Sequence, residues 1–154
     1  MSRIRGILTL SALGAALALG GCTPSSPLDR VLESSVDPAA PPSFLDVPQA
    51  DTDIPPGDID IADFGVVPDS LRYQGDWEGE SIYLGVKSGS TVVVVRVERA
   101  RPEQYGVSHS VGNTPFAIGT AHSEDRWLAY VPQGTGDVPE EAHPFSPHMV
   151  LVRS

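Results

Sequence analysis

The chain has 154 residues, a formal charge of −10 at neutral pH and one cysteine, Cys22. A single cysteine allows no disulfide within the chain, and an acidic surface repels phosphates, which argues against nucleic acid as a partner. About 85 residues remain for a globular unit once the two amino-terminal segments described next are set apart, which excludes a two-lobed solute-binding protein.

The amino terminus has the organisation of a bacterial lipoprotein signal peptide. Arg3 and Arg5 form a basic start, and residues 7–19 form an apolar stretch that is short for a spanning helix. This stretch ends in Leu19-Gly20-Gly21-Cys22, which resembles a lipobox, where the cysteine sulfur accepts a diacylglyceryl group. We expect cleavage after Gly21 and a lipid-anchored protein on the extracytoplasmic face of the cell membrane. An ordinary secretory signal and an uncleaved short anchor are the alternatives.

Residues 22–68 are predicted to be the lipidated cysteine followed by a disordered tether. Nine of the fifteen prolines lie between residues 23 and 68, and residues 23–69 contain ten acidic residues against Arg30 alone. Such a chain would hold a domain roughly 35–40 Å from the lipid. The acidic residues do not fit the ligand spacing of a calcium loop. Residues 28–32 can form a short helix after Pro27, and residues 58–67 can add to the domain as an edge strand.

Residues 69–154 are predicted to form a small all-β domain. Residues 82–86 alternate in polarity and are joined by the turn Lys87-Ser88-Gly89-Ser90 to a second run, 91–97, which predicts a hairpin. Val92–Val95 is apolar on both faces and should be a central strand. Further strands are predicted within 104–110, 116–121, 126–131 and 148–153. We expect an antiparallel sandwich or a partly open barrel of about six to seven short strands.

Short motifs in this domain resemble a known family. Asp69–Gly75, then Trp77-Glu78-Gly79, then Ile82-Tyr83, and the ending Met149–Arg153 are similar to small envelope lipoproteins of actinobacteria. The family is one of unknown function and implies no active-site residues. Many members pair a cysteine in the long central strand with one in the next strand. This chain has valines and serines there, so the bridge is absent.

No pattern of catalytic or metal-binding residues is recognisable, and we expect neither enzymatic activity nor a cofactor. His143 and His148 flank prolines rather than lying on one helix face, and His109 and His122 are in separate segments. Ser108 and Ser110 adjoin His109 on a strand, where neighbours point to opposite faces and cannot relay a proton. The carboxylate pairs lie at turns, where water keeps them ionised: Glu78/Glu80, Glu124/Asp125 and Glu140/Glu141.

The aromatic residues Tyr73, Trp77 and Tyr83 are the better candidates for a contact surface. Tyr83 lies on the face opposite Ile82 and Leu84, and Trp77 is expected in a turn. An exposed patch would suit a partner, and the alternative is packing against the tether or a second sheet. The predicted function is a non-enzymatic interaction module that contacts an envelope protein or cell-wall component. A small ligand- or wall-polymer-binding domain and a small envelope hydrolase are the alternatives.

Overall fold

The structure is a computed structural model, and it describes residues 25–33, 36–57, 59–120, 123–136 and 138–153. The signal peptide, the lipobox and Cys22 lie outside the described residues and stay predictions. Among the described residues, no helix has the length and apolar character needed to cross a membrane.

In the part of the chain that the structure describes, eight strands form two four-stranded antiparallel sheets that pack face to face. The first sheet has the order β1-β2-β3-β4, and the second has the order β5-β6-β8-β7. The strands are β1 Arg72–Trp77, β2 Glu80–Lys87, β3 Thr91–Glu98, β4 Tyr105–His109, β5 Phe116–Thr120, β6 Ser123–Tyr130, β7 His143–Ser146 and β8 Met149–Arg153. The prediction of a small antiparallel sandwich is confirmed, and the sheets do not close into a barrel.

The predicted hairpin is β2 and β3, paired from Glu80 opposite Glu98 to Lys87 opposite Thr91. Its second strand is central, and residues 92–95 are completely buried, as their apolar character on both faces predicted. Two strands were not predicted. Strand β1 is polar and contains a bulge near Gly75, and β7 contains Pro144. Both are edge strands, where bulges and proline are tolerated because one side forms no ladder.

Three apolar clusters hold the sandwich together. The inner core lies between the sheets and includes Trp77, Leu84 and Val94 from the first sheet and Leu128, Tyr130 and Met149 from the second. The outer face of the first sheet is also apolar, through Tyr83, Val93, Val95 and Val97. The outer face of the second sheet carries Ala129, Val150 and Val152. Each sheet therefore needs cover on both sides.

That cover comes from the segment that was predicted to be a disordered tether, so this prediction is corrected. We call described residues 25–70 the strap. It contains helix α1, Pro27–Leu32, and 3-10 helices at Ser43–Asp46, Asp51–Asp53, Ile61–Phe64 and Pro68–Ser70. Val31 packs on the outer face of the second sheet, Phe44 enters the inner core, and Ile61 packs on the outer face of the first sheet.

The local sequence explains each part of the strap. Helix α1 begins after Ser26, whose hydroxyl accepts a hydrogen bond from the Asp29 amide, while the Asp29 carboxylate accepts one from the Ser26 amide. The predicted short helix is thereby confirmed. The prolines break the rest into short turns because they remove backbone donors. An edge strand was predicted for residues 58–67, and the described part, residues 59–67, does not form one. Ile61–Phe64 is a 3-10 helix, and in this range only Val66 forms a bridge, to Lys87.

Replacing Phe44 with alanine tests whether the strap is part of the folded unit. The Phe44 side chain is 3% exposed and meets the Tyr130 ring edge-on at a centroid distance of 6.2 Å. We expect Phe44→Ala to lower the free energy of unfolding by about 3–5 kcal/mol, the usual cost of removing a buried phenylalanine.

Phe64→Ala is the matched control, because Phe64 belongs to the same strap but is 51% exposed. We expect it to lower the free energy of unfolding by less than about 1 kcal/mol. Both values come from urea unfolding followed by circular dichroism. Equal and negligible losses for the two variants would mean that the strap does not pack on the sheets.

Candidate functional site

The three aromatic residues predicted from the sequence do not form an exposed patch. Trp77 is 4% exposed within the inner core, and Tyr83 is 3% exposed beneath the strap. Tyr73 is 36% exposed, and its ring lies against that of Tyr83 at a centroid distance of 5.4 Å. The prediction of a shared exposed surface is therefore wrong. The alternative, packing against a second sheet and the tether, is what the structure has.

The histidines and serines are dispersed. His109 and His143 are exposed, His148 is half-buried, and His122 is outside the described residues. Within the described ranges, no group of three or more His, Cys, Asp or Glu side chains is placed to hold a metal ion. The Ser110 hydroxyl donates to the backbone carbonyl of Gly112, so it serves the β4–β5 turn.

A polar cleft of about 530 Å³ lies where the β1–β2 turn meets the second sheet. The backbone of Glu78 begins this turn with a φ of +50°, in the left-handed region that residues other than glycine rarely adopt. Gly79 follows with a φ of +88°. The Glu78 carboxylate forms an ion pair with Arg126 of β6 at 2.7 Å. The Arg96 guanidinium lies 3.7 Å from the Glu80 carboxylate and donates a hydrogen bond to the Gly119 carbonyl of β5. These charges neutralise one another and join the two sheets.

The other predicted carboxylate pairs lie at the surface. Glu140 and Glu141 are exposed in the turn before β7, and Glu124 and Asp125 are exposed at the start of β6. Glu141 binds Arg30 of helix α1 at 2.6 Å. A backbone hydrogen bond and this guanidinium lower the pKa of Glu141. These four residues are open to solvent, as expected from their position at turns.

A second opening lies along β1, between the strap and the β7–β8 turn, and we call it the strap groove. Its volume is about 320 Å³. The residues that define its walls are Phe44, Val47, Asp53, Tyr73, Ser146 and His148. Strand β1 is the edge strand of the first sheet, and its residues Arg72, Tyr73 and Gln74 line the groove.

Short hydrogen bonds fix both walls of the strap groove. The Asp53 carboxylate accepts hydrogen bonds from the Tyr73 and Ala50 amides, each at 2.7 Å. The Arg72 guanidinium donates to the Val47 carbonyl at 2.7 Å. On the opposite wall, the Ser146 hydroxyl donates to the Gln74 side chain at 2.6 Å. The strap thereby covers part of the β1 edge, which also protects it from pairing with another chain.

His148 lies half-buried in the wall of the strap groove. Its ring meets Phe44 edge-on at 6.1 Å, and its Nδ1 atom is buried without a hydrogen-bond partner. Burial lowers the pKa of His148, although a hydrogen bond to the Val131 backbone and the Asp46 charge act in the opposite direction. The neutral ring is therefore the form that this site favours.

The rim of the strap groove carries exposed apolar side chains that sequence reasoning missed. Val47 is 62% exposed, and Ile54, which lines a neighbouring opening of about 310 Å³, is 61% exposed. Val47 and Tyr73 line the strap groove itself, and Ile54 lies beside it, one residue after Asp53. The sequence contained one indication of these residues, because isolated large apolar residues occur there within a segment otherwise rich in proline and aspartate.

The chain matches no protein-family model, no curated protein and no solved structure. The polar cleft joins the sheets through paired charges, whereas the strap groove combines exposed apolar surface with fixed polar groups. Such a combination is typical of a contact site.

The state of His148 predicts a pH dependence of stability. Its folded-state pKa lies below the ordinary value of about 6.5, so between these two values the unfolded chain binds more protons. The free energy of unfolding should therefore fall as the pH is lowered through 6.5, by less than about 1.4 kcal/mol per pH unit, the limit for one proton. Below the folded-state pKa, this residue contributes no further change.

His148→Gln should reduce the loss of stability between about pH 7 and pH 5.5. His143→Gln is the matched control because His143 is exposed on the neighbouring strand. The measurement is urea unfolding at each pH. The same pH dependence in His148→Gln as in the unsubstituted protein would contradict the assignment of this titration to His148.

Proposed function

We propose that the protein is a lipid-anchored, non-enzymatic module of the cell envelope that contacts another envelope protein through the strap groove. The proposal of a lipid anchor rests on the Leu19-Gly20-Gly21-Cys22 motif, which follows an apolar stretch of thirteen residues. The resemblance to actinobacterial envelope lipoproteins supports the same location. The mature protein begins at Cys22 on the extracytoplasmic face of the cell membrane.

The chemistry of the strap groove supports a protein partner. Val47 exposes aliphatic surface at the groove, and Ile54 adds more in the neighbouring opening. Protein contacts bury such surface at their centre. Polysaccharides are held largely by exposed aromatic rings, and two of the three predicted aromatics, Trp77 and Tyr83, are buried. A protein partner is thus favoured over a wall polymer.

The polar groups of the strap groove support contact rather than catalysis. Asp53 is occupied by two backbone amides, and Ser146 donates to Gln74. These groups hold the groove in shape and leave it preorganised, which lowers the entropic cost of binding. Arg72, which is fixed on the Val47 carbonyl, adds a positive charge at the rim of an otherwise acidic protein.

Replacing Cys22 tests the anchor. We expect Cys22→Ser to move the protein from the membrane fraction to the soluble extracytoplasmic fraction and to abolish labelling by a radioactive fatty acid, because serine offers no thiol for acylation. Thr23→Ser is the matched control and should remain membrane-bound and labelled. An unlabelled parent protein, or membrane retention of the Cys22→Ser variant, would contradict lipid attachment at Cys22.

Site-specific photo-crosslinking in intact cells tests the strap groove. A photoreactive phenylalanine analogue at Val47 should give one dominant crosslinked envelope protein, identified by mass spectrometry. The same analogue at Val111 should not, since Val111 is exposed in the β4–β5 loop and does not line the groove. Equal crosslinking from both positions, or crosslinking to wall polymer alone, would count against a protein partner at this surface.

A further inference from the structure

We infer that the folded domain lies directly against the membrane, with helix α1 and the adjoining turn before β7 as its membrane-facing surface. The inference rests on the proposed lipid attachment at Cys22. It goes beyond it, because a lipid anchor alone leaves a domain free to stand far from the bilayer. The sequence predicted such a separation, roughly 35–40 Å across a flexible tether.

The number of residues between the lipid and helix α1 carries the inference. Ser26, the amino-terminal cap of helix α1, lies four residues after Cys22. Four residues span at most about 14 Å even when fully extended, whatever conformation they adopt. The start of helix α1 therefore cannot be further than this from the lipidated residue, and the separation expected for a 46-residue tether is not available.

Helix α1 transmits this restraint because it is fixed to the domain. Val31 is buried on the outer face of the second sheet in the cluster that contains Ala129 and Val150. Arg30 adds an ion pair with Glu141 at 2.6 Å in the turn before β7. The helix contacts both β6 and β8. The short linker therefore holds the whole sandwich, rather than a detached helix, near the lipid.

The charge of this surface shows what kind of lipid it suits. Among the described residues, the exposed charged residues of helix α1, its carboxyl-terminal cap and the turn are Asp29, Arg30, Glu33, Glu140 and Glu141, of which one is basic. An acidic surface is repelled by anionic headgroups. The covalent link to the lipid, rather than charge attraction, therefore keeps this surface at the membrane. The lipid surface that suits it is one with neutral headgroups, or one whose negative charge is screened by cations.

Energy transfer from the tryptophans to the bilayer measures the separation. The mature chain from Cys22 to Ser154 contains every described residue and a single thiol. It is coupled through Cys22 to a maleimide lipid in phosphatidylcholine vesicles that carry a dansyl-lipid acceptor. Chemical coupling replaces acylation, so this result is independent of the fractionation of the Cys22→Ser variant.

A flexible insertion supplies the reference for a distant domain. About twenty Gly and Ser residues placed between Thr23 and Pro24 lengthen the average span from Cys22 to Ser26 to roughly 27 Å and lie outside the folded domain. We expect transfer in the parent protein to exceed that in the insertion variant at least about twofold. Equal transfer in the two proteins would overturn the inference, even where Cys22→Ser confirms the anchor.

Val31→Asp tests whether helix α1 is what holds the domain. The substitution places a charge against Ala129 and Val150, so the helix should detach and the free chain should lengthen toward Pro38. We expect transfer to fall toward the value of the insertion variant. Val111→Asp makes the same chemical change at an exposed site and should leave transfer unchanged. Unchanged transfer in Val31→Asp would overturn the role of the helix.

Discussion

The sandwich depends on one constraint: both of its sheets are apolar on both faces. An antiparallel sheet commonly packs one face and leaves the other to water, and it then shows a regular polar alternation. Here β3 presents valines to both sides, and residues 92–95 are all buried. Ala129 and Val150 give the second sheet a similar outer face. A two-layer sandwich cannot bury these surfaces, so the strap is required as a third layer.

The strap is held by polar contacts as well as by its apolar side chains. The Pro38 carbonyl accepts hydrogen bonds from the Ser90 hydroxyl at 2.7 Å and from the Asn113 amide at 2.8 Å. The Asn113 side chain accepts in turn from the buried Tyr130 hydroxyl at 2.7 Å. Burial raises the pKa of Tyr130, so it stays a neutral donor. The strap, a surface loop and the inner core thereby form one connected network.

Much of the sheet architecture could be predicted from the sequence, and the position of the strap could not. Alternation and turn chemistry located the β2–β3 hairpin and the central strand, because those signals are local. The burial of Tyr83 could not be predicted in the same way. Its alternation with Ile82 placed it on the outer face, but whether that face is exposed depends on Ile61, which covers it. Composition averaged over residues 23–68 concealed such single apolar residues among the prolines.

The residues that line the strap groove could not be grouped from the sequence either. His148 and Val47 are about a hundred residues apart in the sequence, and no local pattern links them. They line one opening because Phe44 enters the inner core between them and the β7–β8 turn packs against its ring. A site formed by contacts this distant becomes visible only once the path of the strap is known.

The position of the strap in the chain has a consequence for the order of folding. Ile61 and Val66 precede the first sheet closely, so that sheet and its outer cover can assemble from one contiguous region. Val31 must instead wait for β8, more than a hundred residues later. Closing so long a loop carries a large entropic cost before any contact forms. The first part of the strap to be synthesised therefore cannot be buried until the last strand has formed, and until then the outer face of the second sheet is exposed and open to aggregation.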